Sequence, residues 1–165
     1  MSLWKLIRHL KFRQILSLVV LFAKWPLMLY PTAKATLKTM RICHDLYPEK
    51  HQGNGRGNAF RHALWNILIT REAMKWNRNK QKSLDWAKII TDWHEKFAPN
   101  KEPARFMDLH NNAKGRELFE RWTEKRDVLT DRYIVKQLKE AMAGSKKITG
   151  ITETDYPGLV YIEEP

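Results

Sequence analysis

The chain has 165 residues, enough for one domain to bury its own core, and 43% of them are apolar against 29% charged, which excludes wholesale disorder. A single cysteine, Cys43, excludes an internal disulfide framework and any multi-cysteine zinc site, and seven glycines and seven prolines exclude a collagen-like repeat. A formal charge of +12 narrows the partners to polyanions, either nucleic acid or an anionic membrane surface.

The distribution of that charge favours the membrane. Residues 1–41 contain eight lysines and arginines and no acid, and the first acid is Asp45. A nucleic-acid binder more often spreads its basic groups over the folded body; here they flank the most hydrophobic stretch, so nucleic acid is the weaker partner. Ser2 can cap a helix from Leu3, with Leu3, Leu6, Ile7 and Leu10 at helical spacing and Trp4 beside them. The apolar run Ile15–Ala23 then ends at Lys24, followed by Trp25 and Pro26, and is shorter than the ~20 residues a spanning helix needs. Three readings stay open: an in-plane or re-entrant amphipathic anchor, a signal peptide or signal anchor with a small-residue site at Ala33-Lys-Ala35, or a helix packed on the domain. The first, at the cytoplasmic face of the inner membrane, is preferred, and the lone Cys43 is compatible with a reducing compartment.

The spacing predicts a helix over 33–46, ended by Tyr47-Pro48, then a loop over 49–58 with alternate glycines Gly53, Gly55 and Gly57. No Gly-Lys-Ser/Thr follows, so the loop is not a nucleotide P-loop. Further helices are expected from Asn58 to Trp76, Ser83 to Phe97, Ala104 into the 120s and Asp127 to Ala143, with Leu159–Ile162 as a short strand in the tail. The fold class is all-α: a membrane-associating segment over 1–41, a helical bundle over 42–145 and a C-terminal tail over 146–165. Arg71-Glu72 and the mixed charges at 114–126 read as solvated helix faces.

Three polar clusters interrupt otherwise apolar helices. In the first, Asn58 to Asn66, His62 and Asn66 stand four apart and share a face, as do Arg61 and Trp65, a pair suited to holding an anion beside an aromatic floor. The second is Thr91-Asp92-Trp93-His94-Glu95, where Trp86, Ile90, Trp93 and Phe97 form the apolar stripe and the polar residues flank it. The third is Asp108-Leu-His110-Asn111-Asn112, with Gly115 and Arg116 one turn on; these are mediocre helix formers, so their density suggests a job that outweighs propensity. Side chains from three helices can build a metal site in a bundle core. The metal ligands are expected to be His62, Asp92 and Asp108, holding one divalent ion (Zn, Mn or Mg). His94, Glu95 and Asp92 are expected to move protons, and Arg61, Trp65, Asn66, Asn111, Asn112 and Arg116 to bind substrate. The alternative is a buried hydrogen-bond network with no chemistry. The order Asp92-Trp-His-Glu95 is not the adjacent His-Asp pair of HD-type phosphohydrolases, and no β-hairpin precedes Asp108-Leu-His110-Asn111 as an HNH-type nuclease would need.

The blocks Ala59-Phe-Arg-His-Ala-Leu-Trp-Asn66, Asp92-Trp-His-Glu95 and Met107-Asp-Leu-His-Asn-Asn112 with Gly115-Arg116 resemble an uncharacterised bacterial family, a domain of unknown function, over roughly residues 54–120. The resemblance implies that these polar positions form one site, without assigning a reaction. Asn58 stands where that family commonly has an acid, and His110 where it often has tyrosine, so His110 is not an obligatory ligand. The expected function is a membrane-attached, metal-dependent hydrolase of a phosphorylated or lipid-linked substrate; the alternatives are a non-enzymatic membrane-attached scaffold and, more weakly, a nucleic-acid binder or nuclease. All of this requires His62 to lie within ~10 Å of the carboxylates at 92, 95 and 108, the reach of one ion's ligand shell.

Overall fold

The computed structural model describes residues 11–48, 53–97, 100, 102–151 and 156–162. The expected helix from Leu3, and Trp4 with it, lie outside the described residues, as do residues 49–52 of the glycine-rich loop. Six α-helices and one two-stranded parallel ladder make up the described fold, an all-α bundle.

Helix α1 (Phe12–Lys24) buries no residue fully, yet Leu18, Leu21 and Phe22 pack on the core from one side. Its other face, Phe12, Ile15, Leu16, Val19 and Val20, is exposed. A 3-10 turn, Pro26–Met28, leads into α2 (Leu29–Leu46), which starts four residues before the expected position 33. The reason is Pro31: in the first helical turn an N–H has no intrahelical acceptor, so its loss is tolerated. No break occurs after residue 41; α2 runs through that expected boundary and packs along α3.

Helix α3 (Arg56–Asn77) is the centre of the bundle, in contact with α2, α4 (Lys80–Phe97), α5 (Ala104–Lys125) and α6 (Asp131–Ala143). Because neighbours surround it, it buries polar and apolar residues alike. Arg71 and Glu72, expected on a solvated face, are therefore buried: Glu72 takes Lys34 from α2 and Lys75 from its own helix, while Arg71 bonds the Leu129 carbonyl and Asp131. Glu117, Arg121 and Glu124 on α5 do face solvent. Helix α6 starts at Asp131 rather than Asp127 because the Thr130 hydroxyl accepts the Tyr133 N–H and caps it.

Two indoles fasten α2 to the bundle: Trp86 Nε1 donates to Thr32 Oγ1 at 2.9 Å and Trp65 Nε1 to Thr36 Oγ1 at 2.9 Å. Helices α3 and α5 approach so closely that a Cβ on Gly115 would stand 2.5 Å from the Ala63 carbonyl oxygen. The tail returns to the core as β2 (Val160–Tyr161), parallel to β1 (Lys146–Lys147), with Tyr156 and Leu159 also buried.

Candidate functional site

The close α3–α5 crossing sets the site, because His62 adjoins Ala63 and Asn112 lies one turn before Gly115. His62 on α3, Glu95 on α4 and Asp108 on α5 converge: one donor atom from each lies within 4.8 Å of the others, and all three residues are buried. His62 Nε2 is 3.3 Å from Asp108 Oδ1, and His62 Nδ1 is 3.4 Å from Glu95 Oε1. Burial, Arg61 and then His94 push the imidazole well below its ordinary pKa, so it is neutral and these contacts are not ion pairs.

The surrounding amides fix its tautomer. Arg61 Nη2 donates to His62 Nε2 at 3.0 Å, which leaves the ring proton on Nδ1, directed at Asn112 Oδ1 at 3.2 Å. Asn112 Oδ1 also accepts from Asn66 Nδ2 at 2.7 Å, and Asn112 Nδ2 donates to Glu95 Oε1 at 3.1 Å. Asn66 Oδ1 accepts from Arg116 Nη1 at 2.7 Å and from Thr91 Oγ1 at 3.3 Å. Asp108 is held by two amides, Asn58 on Oδ1 at 3.0 Å and Asn100 on Oδ2 at 2.7 Å, and Asn58 Oδ1 accepts from Arg61. Glu95 Oε2 is buried and has no partner.

The charges do not balance without help. Two carboxylates face one guanidinium, and burial followed by Asp108 pushes the Glu95 carboxyl up to about 7. Burial also raises Asp108, against the bond from Asn100. A neutral imidazole and two carboxylates, one of them with an orphaned buried oxygen, form a donor set that suits a divalent cation. Two ligands at ~2.1 Å from one ion stand about 3–4 Å apart, so side-chain shifts of under an ångström gather this set.

Of the three residues, His62 alone lines a cavity of about 350 Å³ between α1, α2, α3 and α4; Glu95 and Asp108, in contact with it, are not among the walls. Its walls are chiefly apolar: Leu18 and Phe22 from α1, Leu29, Ala33 and Met40 from α2, and Ile90 and Trp93 from α4. Arg61, His62, Trp65 and His94 supply its polar surface, with the Trp65 and His94 rings edge to face at 5.2 Å. His94 is walled by protein yet open to solvent through the cavity; burial and then Arg61 lower its pKa and keep it neutral.

The expected residues therefore divide. His62, Glu95 and Asp108 come together, and Arg61, Trp65 and His94 line the cavity beside them. Asp92, expected as ligand and catalyst, does not join them: it lies half-buried on the flank of α4 and pairs with Lys88 one turn earlier. Glu95, one turn along and one methylene longer, takes the inward place. Asn111, expected to bind substrate, spends its amide on the tail, donating to Val160 O at 2.8 Å and accepting from Val160 N at 3.0 Å. Asn112 bonds His62 and Glu95, Asn66 bonds Asn112 and the His62 carbonyl, and Arg116 bonds Asn66; none of the three is among the cavity walls. Asn58 on Asp108 and Thr91 on Asn66 stood in the first two clusters without an assigned role, and Asn100 on Asp108 was missed, because it falls between two expected helices.

A sequence model of the family described as Domain of unknown function (DUF6973) matches residues 19–146. No curated protein and no solved structure matches the chain.

Proposed function

The chain belongs to that family of unknown function, and we propose that it is a hydrolase held at an anionic membrane surface, using one divalent metal ion at His62, Glu95 and Asp108. The observation that carries the reading is the convergence of these three buried groups, with Glu95 Oε2 unpartnered among the described residues, where His62 meets the wall of an apolar cavity. Such an ion would acidify a water molecule toward neutral pH and polarise an ester or phosphoryl oxygen. The chain's own groups do the rest. Asn112 and Asn66 hold the His62 ring in one orientation, and Asn58 and Asn100 hold Asp108. Arg61, which lines the cavity and sits 3.0 Å from the free imidazole nitrogen, is the cation that would meet a substrate's anionic group there. Neutral His94 takes the proton released as the water oxygen bonds to the reacting centre and returns it to the leaving oxygen as that bond breaks.

The membrane attachment rests on α1. Its outward stripe of Phe12, Ile15, Leu16, Val19 and Val20 continues through exposed Trp25, Leu27, Leu29 and Tyr30, with Lys11, Arg13 and Lys24 beside it. Among the described residues no single helix is long and apolar enough to cross a membrane; α1 and the segment Pro26–Leu46 reach that composition only together and are bent by 111°. An in-plane seat for α1 on the cytoplasmic leaflet follows from this reading.

A second reading has its own observation. Arg61 already supplies a cation beside Nε2, so the cluster could serve as a metal-free polar hub in a membrane-attached scaffold. Elemental analysis separates the two. Purified protein is expected to carry a single divalent ion, lost in His62→Ala and in Asp108→Asn, with a drop in melting temperature on chelation. A metal-free preparation whose melting is indifferent to zinc, manganese, magnesium and chelator removes the hydrolase reading. Flotation tests the surface: the protein is expected to rise with phosphatidylglycerol vesicles and not with phosphatidylcholine vesicles. The Leu16→Asp/Val19→Asp variant should stay behind, since it sets two negative charges in the apolar stripe that meets the anionic surface; equal flotation of the variant removes α1 as the attachment.

A further inference from the structure

The cavity has more in it than the metal reading uses. Its volume, about 350 Å³, is at the small end of the roughly 300–1,000 Å³ typical of ligand sites. That fits a single narrow apolar chain better than a paired-chain or bulky ring ligand. The long walls are hydrocarbon, from Leu18 and Phe22 on one side to Ile90 and Trp93 on the other. Its charged and imidazole groups are Arg61, His62 and His94, with Arg61 3.0 Å from His62, while Thr32, Thr36 and Thr39 add hydroxyl-bearing side chains along α2. A ligand complementary to this surface is apolar along its length and anionic at its tip.

Two independent observations support an occupant. Thr39 is a wall residue of the cavity, and its hydroxyl, sealed from solvent, has no hydrogen-bond partner among the described residues. Its neighbours Thr36 and Thr32, one and two turns earlier on α2, have both satisfied theirs. A buried hydroxyl left without a partner is costly, and a polar atom of a ligand would satisfy it. The second observation is the source. Helix α1 presents Leu18 and Phe22 to the cavity while its opposite face, around Leu16, Val19 and Val20, is bare hydrocarbon. One helix thus connects an apolar exterior to an apolar interior, and exposed Leu29 and His94 mark the mouth.

We infer that this cavity binds the hydrocarbon chain of a single-chain anionic amphiphile taken from the membrane surface, with the anionic group at Arg61 and the polar linkage at Thr39. This deepens the hydrolase reading by naming its substrate class, but binding needs neither metal nor turnover.

The test is calorimetric titration of the full-length protein, in chelator, with dodecanoate, dodecyl phosphate and dodecyltrimethylammonium below their micellar concentrations. At least one of the two anions is expected to bind with saturation at one chain per protein, about tenfold or more tighter than the cation of equal chain length. The ratio of the two anions tells a carboxylate-headed source from a phosphate-headed one. Ala33→Trp, which fills the cavity, should abolish saturable binding; Thr39→Val should weaken it severalfold with helix content retained. If neither anion saturates, or the cation binds as tightly as both, the inference falls, whatever the metal content. If Ala33→Trp does not fold, the head-group comparison and Thr39→Val still decide. Saturable anion binding by a protein that proves metal-free would keep the pocket and remove only the hydrolase.

Discussion

Gly115→Ala is expected to lower the melting temperature by about 5–15 °C, the counterpart of roughly 2–4 kcal/mol for a domain of this size. The added Cβ would stand 2.5 Å from the Ala63 carbonyl oxygen and 2.8 Å from its Cα. Both are backbone atoms of the central helix, so no side-chain rotation relieves the overlap and α5 must move off α3. That movement reaches the site directly. Asn112, one turn before Gly115, bonds His62 at 3.2 Å and Asn66 at 2.7 Å, and a displacement of half an ångström or more would break the weaker contact. Melting followed by circular dichroism, with metal content measured on the same sample, checks both consequences. Gly144→Ala is the control: there the nearest neighbour of a new Cβ, Ala141 O, is 3.8 Å away and φ is −91°, so the change should be within about 1 kcal/mol of wild type. Equal melting of Gly115→Ala and Gly144→Ala would mean that the α3–α5 crossing is looser than described.

Helices were legible in the sequence where apolar spacing and breakers agree, and their ends moved where a single residue's chemistry decides. Pro31 reads as a stop yet is harmless in a first turn, and Thr130 caps more effectively than Asp127. The site was legible as three polar clusters, because Asn and Asp are conspicuous inside helices. Which member of each cluster turns inward was not. Asp92 and Glu95 share a flank of one helix, and only the position of α5 across from it selects Glu95. Asn111 and Asn112 are adjacent, but a helix sends adjacent side chains about 100° apart, one to the tail strand and one to His62. Arg71 and Glu72 looked solvated because a charged pair carries no mark of being on a helix enclosed by others. The cavity could not be read at all: Ala33, Thr36, Thr39 and Met40 form a mixed stripe on α2 that means nothing until α1 and α4 face it.

Replacing Glu95 with Gln is expected to remove a pH-dependent destabilisation of the metal-free protein. Burial and Asp108 raise the folded carboxyl to about 7 from the model-compound value of 4.5. Between those pH values the folded chain holds a proton that the unfolded chain has released. Stability contributed by this group therefore falls as pH rises through that window and levels off above about 7. At about 1.4 kcal/mol per pH unit the loss is on the order of 3 kcal/mol. Asp108, also raised, acts in the same sense. His62 and His94 act oppositely: both are lowered in the fold, so below about 6.5 the unfolded chain binds protons they refuse, and their contribution improves as pH rises to that point. Arg61 stays charged throughout, beside all of them. The wild-type profile alone therefore mixes two slopes, and the difference between wild type and Glu95→Gln isolates one. In denaturant titrations with chelator present, the two should be nearly equal near pH 5, with the Gln protein the more stable by pH 8. A divalent ion should reverse the order at pH 8, because it binds the ionised carboxylate and has no such ligand in the amide. A difference that stays constant from pH 5 to 8 would show that Glu95 ionises as an ordinary surface acid, and the charge imbalance that calls for a cation would be gone.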